Sequence, residues 1–304
     1  MRLLVTGASG LLGLNLALEA SRENEVYGSV NRNLLKNAPF TVIQSDLTQP
    51  GSLNQLLAES CPDWVVNCAA LANLEACEAQ PDLAEKLNIE LPEKLAYYVA
   101  KGGARLVHIS TDAVFDGIRG NYSETDQPNP LSKYAQTKLE GEQAVSAANP
   151  EAIIARVNMF GWSLGGRRSL AEWFLNHLSA NQEISGFIDV YFCPLLATDL
   201  GNLLIEMLAK DLQGLYHVVS RDCSNKFNFG VNLARLFGYD PSLIRPTSLA
   251  DSELIAERSL NLTLKADKLS KDLGTPPPDL DSCLKRYHNQ YLDGFPQAIQ
   301  GLRS

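Results

Sequence analysis

The sequence lacks the features of a protein that binds nucleic acid or membranes. It has no tract of lysine and arginine, and its 35 acidic side chains outnumber its 26 basic ones, giving a formal net charge of −9. So acidic a chain is a poor partner for a phosphate backbone or an anionic membrane surface. Its apolar runs are too short to cross a bilayer, and Gly7 interrupts the N-terminal one. We expect a soluble, cytoplasmic protein without a signal peptide, nucleic-acid partner or membrane partner.

Metal-ligand and disulfide patterns are also missing. The six cysteines form no CxxC pair, and the four histidines are scattered along the chain. Metal sites show recognisable ligand spacings, so we expect no metal. Cysteines of this kind in a chain of 304 residues are typical of reduced, buried thiols in a cytosolic protein.

What is present is an ordinary globular composition. The chain is 45% hydrophobic, 20% charged and 8% aromatic, which excludes collagen, intrinsic disorder and coiled coil.

In its first half, short apolar runs alternate with helix-like stretches, and such runs suit strands buried on both faces. The predicted strands are residues 3–6, 26–30, 41–43, 64–66, 106–109 and 153–157, and the predicted helices are 11–21, 52–59, 83–100 and 131–147. Asn129 and Pro130 are the expected N-cap and first residue of the last helix.

A glycine-rich turn links the first predicted strand to the first helix. Its spacing is GxxGxxG, formed by Gly7, Gly10 and Gly13. Glycines permit a tight turn and let backbone N–H groups approach a pyrophosphate at a helix N-terminus. We therefore predict a dinucleotide site at this turn. The residues expected to contact the cofactor there are Gly7, Ser9, Gly10, Leu11, Leu12 and Gly13.

The residues after the second strand select the cofactor. An NAD site usually has an acid there, whereas this chain has Asn31 and Arg32. A guanidinium can bind a 2′-phosphate, so NADPH is favoured over NADH, the alternative being a solvated loop arginine. Further cofactor contacts are expected after the third and fourth strands, at Asp46, Leu47, Cys68, Ala69 and Ala70.

The alternation of strand-like and helix-like segments in the first half predicts an α/β fold. It has a Rossmann-type doubly wound parallel sheet and a smaller α+β substrate-binding lobe on its C-terminal side. Residues 1–158 form the expected NAD(P)-binding domain, to which residues 188–220 return. Residues 159–187 and 221–304 form the expected lobe.

A tyrosine and a lysine lie four residues apart on the last helix of the first half. This spacing places Tyr134 and Lys138 on one helix face. A nearby ammonium, together with an oxidised nicotinamide, lowers a phenol's pKa, so Tyr134 would pass a proton to or from a carbonyl oxygen while hydride moves. Thr111, after the fifth strand, supplies a second hydroxyl. These three side chains and Asn88 are the predicted catalytic set, with Tyr134 and Lys138 also touching the cofactor. Asn88 is expected behind the lysine, hydrogen-bonded to backbone or water, or else is a polar residue of a helix surface.

In this order, the motifs resemble the extended short-chain dehydrogenase/reductases. Residues 67–70, 75–79, 81–84, 110–117 and 134–142 resemble the branch of dTDP-4-dehydrorhamnose reductases, densely in the first half and thinly in the second. The resemblance implies that Thr111 is the catalytic hydroxyl, Tyr134 the general acid and Lys138 its partner. It also implies reduction by NAD(P)H of a 4-keto group on a nucleotide-activated deoxysugar.

The chain departs from this branch near the expected sugar pocket. Ala113 stands where the family usually has an aromatic residue, and residues 158–160 stand where it has a tryptophan. Asp112 is not followed by the glutamate of sugar-nucleotide dehydratases, so dehydration is disfavoured. The expected substrate contacts are Ala113, Phe115, Asn158, Arg167 and Arg168, the two arginines being either a diphosphate clamp or solvated loop residues.

Two further functions stay open at this point. The branch also resembles the regulatory subunit of methionine adenosyltransferase, so the chain is alternatively a non-catalytic, NADP-binding subunit of a partner enzyme. A sugar-nucleotide epimerase would use the same tyrosine and hydroxyl. By analogy with relatives, helices 83–100 and 131–147 would pair across a homodimer.

Overall fold

The computed structural model describes residues 1–251 and 259–304, and at its centre lies a seven-stranded, wholly parallel sheet. The strands are β1 (Arg2–Thr6), β2 (Glu25–Val30), β3 (Thr41–Gln44), β4 (Trp64–Asn67), β5 (Arg105–Thr111), β6 (Ile153–Val157), β7 (Met159–Phe160), β8 (Ile184–Phe187), β9 (Tyr191–Phe192), β10 (Leu195–Leu196), β11 (Gly214–Val218), β12 (Ser224–Asn225) and β13 (Ile244–Thr247). The order in the central sheet is β11-β6-β5-β4-β1-β2-β3. The predicted doubly wound α/β fold is confirmed.

Helices cover both faces of this sheet. They are α1 (Leu11–Ala20), α2 (Ser52–Ser60), α3 (Leu74–Ala79), α4 (Pro81–Glu85), α5 (Leu91–Gly102), α6 (Lys133–Ala148), α7 (Leu170–Ser179), α8 (Ala197–Ala209), α9 (Lys226–Phe237), α10 (Asp267–Leu273), α11 (Leu280–Leu292) and α12 (Phe295–Gly301). Successive residues of β1 point to opposite faces: Leu3 and Val5 belong to the core cluster that includes α1 and α8, and Leu4 to the cluster that includes α5. Burial on both faces is the reason the strands are short apolar runs without alternation.

The helix predicted over residues 83–100 is present, but a π-helical segment, Lys86–Glu90, separates α4 from α5. Proline at position 92 explains this interruption. It has no N–H to donate to the carbonyl four residues earlier, which is that of Asn88, and its ring crowds that oxygen. The Asn88 carbonyl turns instead towards Gly141 of α6, where a β-carbon in place of the glycine hydrogen would lie 2.1 Å from it.

The expected start of α6 is wrong. Asn129 does not cap the helix; its amide donates to Asp116 at 3.1 Å. Ser132 is the N-cap, and its hydroxyl accepts the N–H of Ala135 at 3.3 Å. Serine and asparagine cap equally well, so only the path of the chain decides between these two sites.

The second half of the chain contributes to the central sheet and also builds small two-stranded sheets. Strand β11 pairs with β6 at the edge of the central sheet, and α8 packs against α1. Beyond them, β8 pairs with β13 in parallel, and β9 pairs with β12 in antiparallel. In the described ranges, no helix combines the length and apolar character needed to cross a membrane.

The expectation of six reduced thiols is wrong, because Cys193 and Cys223 form a disulfide. The antiparallel register of β9 with β12 pairs Phe192 with Ser224, so the next residues, Cys193 and Cys223, face each other. This pairing joins positions 30 residues apart, which no local cysteine motif announces. Among the described residues, no three His, Cys, Asp or Glu side chains lie close enough together to hold a metal ion.

Candidate functional site

The glycine turn between β1 and α1 is built on close backbone contact. Gly7 adopts a left-handed conformation with φ of +67°, and a β-carbon there would lie 2.9 Å from the Cys68 carbonyl oxygen. A β-carbon on Gly13 would lie 2.4 Å from the Gly7 carbonyl oxygen. Gly10 caps α1 without any side-chain hydrogen bond, which leaves the first amide groups of the helix open to an anion. The turn therefore fits a dinucleotide pyrophosphate.

The loops after the neighbouring strands reach the same edge of the sheet. Arg32, after β2, is exposed and has no ion-pair partner in the part of the chain that the structure describes. The carboxylate of Asp46, after β3, accepts from Thr48 at 2.7 Å and 3.0 Å, and these hydrogen bonds lower the pKa of Asp46. After β4, the Ala69 N–H donates to the Thr6 hydroxyl at 3.2 Å. Leu47 and Ala70 are half-buried beside these turns.

The end of β5 and the first turns of α6 bring together three of the four predicted catalytic side chains, Thr111, Tyr134 and Lys138. The Thr111 hydroxyl donates to Asp112 Oδ1 at 3.1 Å and accepts the N–H of Ala113 at 3.2 Å. It also lies near enough to the Tyr134 phenol to lower the pKa of that phenol. One turn further along α6, the Lys138 ammonium donates to the Ile109 carbonyl oxygen at 2.7 Å.

Burial sets the protonation of this group in the free protein. It raises the pKa of Tyr134 to about 12, against a lowering effect of the hydrogen bond with Thr111. It lowers the pKa of Lys138 to about 8, against a raising effect of the Glu142 carboxylate. The expected lowering of the Tyr134 pKa by Lys138 is therefore wrong, since the ammonium bonds to Ile109 and loss of water around the phenol dominates. At neutral pH the phenol is protonated and the amine is charged.

Asn88 is fully buried, so the surface alternative for it is wrong. Its side chain accepts the Leu71 N–H at 2.9 Å and donates to the Leu71 carbonyl oxygen at 3.1 Å. It also donates to the Thr137 hydroxyl at 3.0 Å. Asn88 thus ties the π-helical segment to the loop after β4 and to the helix that carries Tyr134 and Lys138.

The residues expected to contact substrate do not share one environment. Asn158, after β6, donates to Asp112 Oδ2 at 2.5 Å, and Ala113 lies in the 3-10 turn Asp112–Val114. Phe115 is only 1% exposed and stacks on Tyr122 with ring centres 4.2 Å apart, so it belongs to the core beneath this turn.

The two arginines of the expected clamp lie on the loop between β7 and α7. Arg167 and Arg168 are exposed, and their guanidinium groups have no ion-pair partner in the described ranges. Their backbone N–H groups are held instead, both by the Ser163 hydroxyl at 3.3 Å and that of Arg168 also by Glu172 at 2.9 Å. The loop is anchored while both side chains are free to meet an anion.

Two residues of this centre escaped the sequence interpretation. Asp112 holds the Thr111 hydroxyl, and Glu142 forms a buried ion pair with Arg156 through bonds of 2.9 and 2.7 Å. A helix-face signal pointed to Glu142, which follows Lys138 by four residues as Lys138 follows Tyr134. Asp112 lies in the motif 110–117, but the motif indicates no role for it, because its second partner, Asn158, comes from the end of β6.

Comparison with known proteins shows the family of the chain. The family model described as the RmlD substrate binding domain matches residues 1–292. A probable low-salt glycan biosynthesis reductase of Haloferax volcanii is 31% identical over 295 residues, covering 95% of this chain and 98% of the relative. The dTDP-4-dehydrorhamnose reductase of Mycobacterium tuberculosis is 33% identical over 268 residues, 85% of this chain and 83% of that protein. Methionine adenosyltransferase 2 subunit beta of Rattus norvegicus is 30% identical over 276 residues, 88% of this chain and 81% of that protein.

Solved structures extend the likeness over nearly the whole chain. A dTDP-4-dehydrorhamnose reductase from Clostridium acetobutylicum superimposes with a TM-score of 0.82 at 27% identity, covering 96% of this chain and all of that one (100%). The Bacillus anthracis reductase, crystallised in complex with NADP, has the same fold, with a TM-score of 0.82 at 24% identity. The superposition covers 95% of this chain and 99% of that one. The chain belongs to the RmlD substrate binding domain family, the dTDP-4-dehydrorhamnose reductase-like branch of the NAD(P)-dependent extended short-chain dehydrogenase/reductases.

Proposed function

We propose that this protein catalyses the NADPH-dependent reduction of a 4-keto group on a nucleotide-activated deoxysugar. The observation that carries the proposal is the convergence of Thr111, Tyr134 and Lys138 at the carboxyl edge of the sheet, two strands from the glycine turn. A regulatory scaffold has no physical need for all three side chains.

Tyr134 is the proposed general acid. Its pKa of about 12 keeps the phenol protonated at neutral pH, which is the state that donates a proton to a carbonyl oxygen. Thr111 supplies the second hydrogen bond to that oxygen. Lys138, charged at neutral pH and fixed to the Ile109 carbonyl oxygen, is assigned to the cofactor beside Tyr134.

NADPH, when bound, supplies the hydride. We assign its pyrophosphate to the glycine turn at Gly7 and its 2′-phosphate to Arg32, whose guanidinium is exposed and unpaired among the described residues. The Bacillus anthracis reductase, crystallised in complex with NADP, supports the choice of cofactor.

For the substrate, we assign the diphosphate to Arg167 and Arg168, which have no ion-pair partner among the described residues, and the sugar to the region of Ala113 and Asn158. The names of the reductases from Mycobacterium tuberculosis and Clostridium acetobutylicum support a dTDP-linked keto sugar. Ala113 offers only a methyl group where the family usually has an aromatic side chain, so we propose that a sugar with a larger ring substituent fits beside it.

The test is NADPH oxidation with dTDP-4-keto-6-deoxyhexose by the wild-type protein and by Tyr134→Phe. We expect the variant to lose turnover by a factor of about 10² to 10⁴, the usual contribution of a positioned acid, while it still binds NADPH. Tyr97→Phe, at an exposed position of α5, is the matched control and keeps full activity. Equal turnover by Tyr134→Phe and the wild type would refute the assignment of the acid.

The second candidate function is that of a non-catalytic, NADP-binding regulatory subunit. Its support is the 30% identity to methionine adenosyltransferase 2 subunit beta over 88% of this chain. In that case the wild-type protein binds NADPH but oxidises none with any keto sugar. It would instead change the activity of a co-purified partner enzyme, and Tyr134→Phe would leave that effect intact.

A further inference from the structure

The Thr111 hydroxyl has one proton and several oxygen atoms that compete for it. A hydroxyl donates once and accepts up to two hydrogen bonds. One acceptor is Asp112 Oδ1, at 3.1 Å, and the Tyr134 phenol oxygen lies near the same hydroxyl. In the proposed reduction, the carbonyl oxygen of the substrate is a third. Thr111 cannot hold that carbonyl while it donates to Asp112.

Asp112 is positioned as an acceptor. Its side chain is 4% exposed, and its two oxygens receive the Thr111 hydroxyl and the Asn158 amide, the latter at 2.5 Å. No lysine or arginine of the described residues forms an ion pair with it. Burial therefore raises the pKa of Asp112 to about 6, even though both hydrogen bonds oppose the rise.

The other ionisable groups around Asp112 are already committed. Helix α6 packs against its turn, and there the Tyr134 phenol is the group that interacts with the Asp112 charge. The Lys138 ammonium is bonded to Ile109, and the Glu142 carboxylate is paired with Arg156, which comes from β6. The protonation of Asp112 is thus free to change near pH 6 without breaking an ion pair.

We propose that Asp112, held in place by Asn158, is a positioning residue that decides where the Thr111 proton goes. While ionised, Asp112 takes that proton. When protonated, Asp112 donates its own proton to the Thr111 oxygen, which reverses their hydrogen bond and frees the Thr111 proton for the substrate carbonyl. This inference rests on the proposed function, and it makes the reductase an enzyme that works best at mildly acidic pH.

The hydrogen bond is tested without substrate, by carboxyl-carbon NMR titration of Asp112 in the full chain. In Thr111→Val the ionised carboxylate loses a donor, so we expect the Asp112 pKa to rise above its wild-type value. Asn158→Ala removes the other donor and shifts the pKa in the same direction, and it serves if Thr111→Val does not fold. Thr125→Val, at an exposed threonine, changes nothing. An Asp112 pKa unaltered in a folded Thr111→Val or Asn158→Ala protein overturns the proposal.

The consequence is tested by the pH profile of kcat/KM with the keto sugar. We expect the wild-type value to fall about tenfold as pH rises through 6, the loss of roughly one hydrogen bond to the transition state. Asp112→Asn has no ionisation there, so its profile is flat and its affinity for NADPH is unchanged. The same fall in both proteins overturns the proposal. Absence of wild-type turnover at every pH refutes the proposed function instead, and the NMR titration still decides whether Asp112 holds the Thr111 proton.

Discussion

At the scale of single residues, burial shifts the pKa values of two ionisable side chains of α6 in opposite directions. It raises the pKa of Tyr134 and lowers that of Lys138, because in each case the neutral form is preferred away from water. The two shifts move the pKa values apart. Lys138 therefore loses its charge well before Tyr134 loses its proton as the solution becomes alkaline.

The Lys138 shift predicts a particular pH dependence of stability. The pKa of Lys138 falls from its ordinary 10.5 to about 8 on folding, so between these values the unfolded chain binds more protons. Stability contributed by this site therefore rises with pH across that window. Relative to Lys138→Met, the wild type should gain about 2 kcal/mol between pH 7.5 and 10, since one pKa unit is worth about 1.4 kcal/mol.

Urea unfolding of both proteins at the two pH values measures this difference, and effects shared by the rest of the chain cancel. If the unfolding free energies of the wild type and of Lys138→Met change equally between the two pH values, the Lys138 ammonium is not desolvated by folding.

A second prediction at this scale concerns the choice of cofactor. Arg32→Ala should weaken NADPH binding by about 10- to 100-fold, the usual worth of hydrogen bonds to a charged group, and leave NADH binding unchanged. Arg22→Ala, at the exposed arginine beyond the end of α1, is the control and should affect neither. Fluorescence titration with NADPH and with NADH gives the ratio of the two dissociation constants. An equal loss for NADH and NADPH would place Arg32 away from the 2′-phosphate.

At the scale of elements, the contact between α6 and the π-helical segment fixes the catalytic helix. Pro92 withholds a donor from the Asn88 carbonyl, and Gly141 is the residue of α6 that leaves room for this carbonyl. The Asn88 side chain continues the link to Leu71 and Thr137. Tyr134 and Lys138 are therefore placed by a helix that is held along its length.

Gly141→Ala should disturb this contact. The added methyl group would lie 2.1 Å from the Asn88 backbone oxygen, which cannot move without the whole segment, so we expect a loss of about 1–3 kcal/mol of stability and reduced turnover. Gly102→Ala, in α5, has open space around the new methyl group, and should be neutral or stabilising by up to about 1 kcal/mol. Thermal melts of both variants compare the sites. Equal stability of the two variants would refute the close contact.

At the scale of the whole molecule, the disulfide joins the residue after β9 to the loop before β12, outside the central sheet. Because it closes a loop of 30 residues, it restricts the unfolded chain more than the folded one. The homodimer and the cytoplasmic location stay predictions.

Removing the disulfide should lower the stability of the molecule. By the chain-entropy relation, the double variant Cys193→Ser with Cys223→Ser should lose about 3–4 kcal/mol of unfolding free energy. Cys61→Ser, at the exposed free thiol, should lose none. Alkylation of the denatured, unreduced protein followed by mass measurement should find four free thiols, at Cys61, Cys68, Cys77 and Cys283. Six alkylated cysteines would show that the bond does not form.

By itself, the sequence determined the features that arise from local pattern. Short apolar runs between helix-like stretches predicted the parallel sheet, and the six strands expected in the first half end within two residues of their expected limits. The glycine spacing placed a tight turn before α1, because no other residue fits Gly7. Local pattern suffices here, since each feature depends on neighbouring residues and on burial of the strand as a whole.

Only the tertiary structure decided the features that depend on distant segments. The raised pKa of Tyr134 comes from the burial that several elements create together, and no helix spacing reports it. The partner of Cys193 lies 30 residues away, and that of Asp112 follows the next strand, 46 residues away. Desolvation and long-range contacts depend on parts of the chain that only folding brings together. They set the chemistry of the site, whereas the sequence motifs only locate the site.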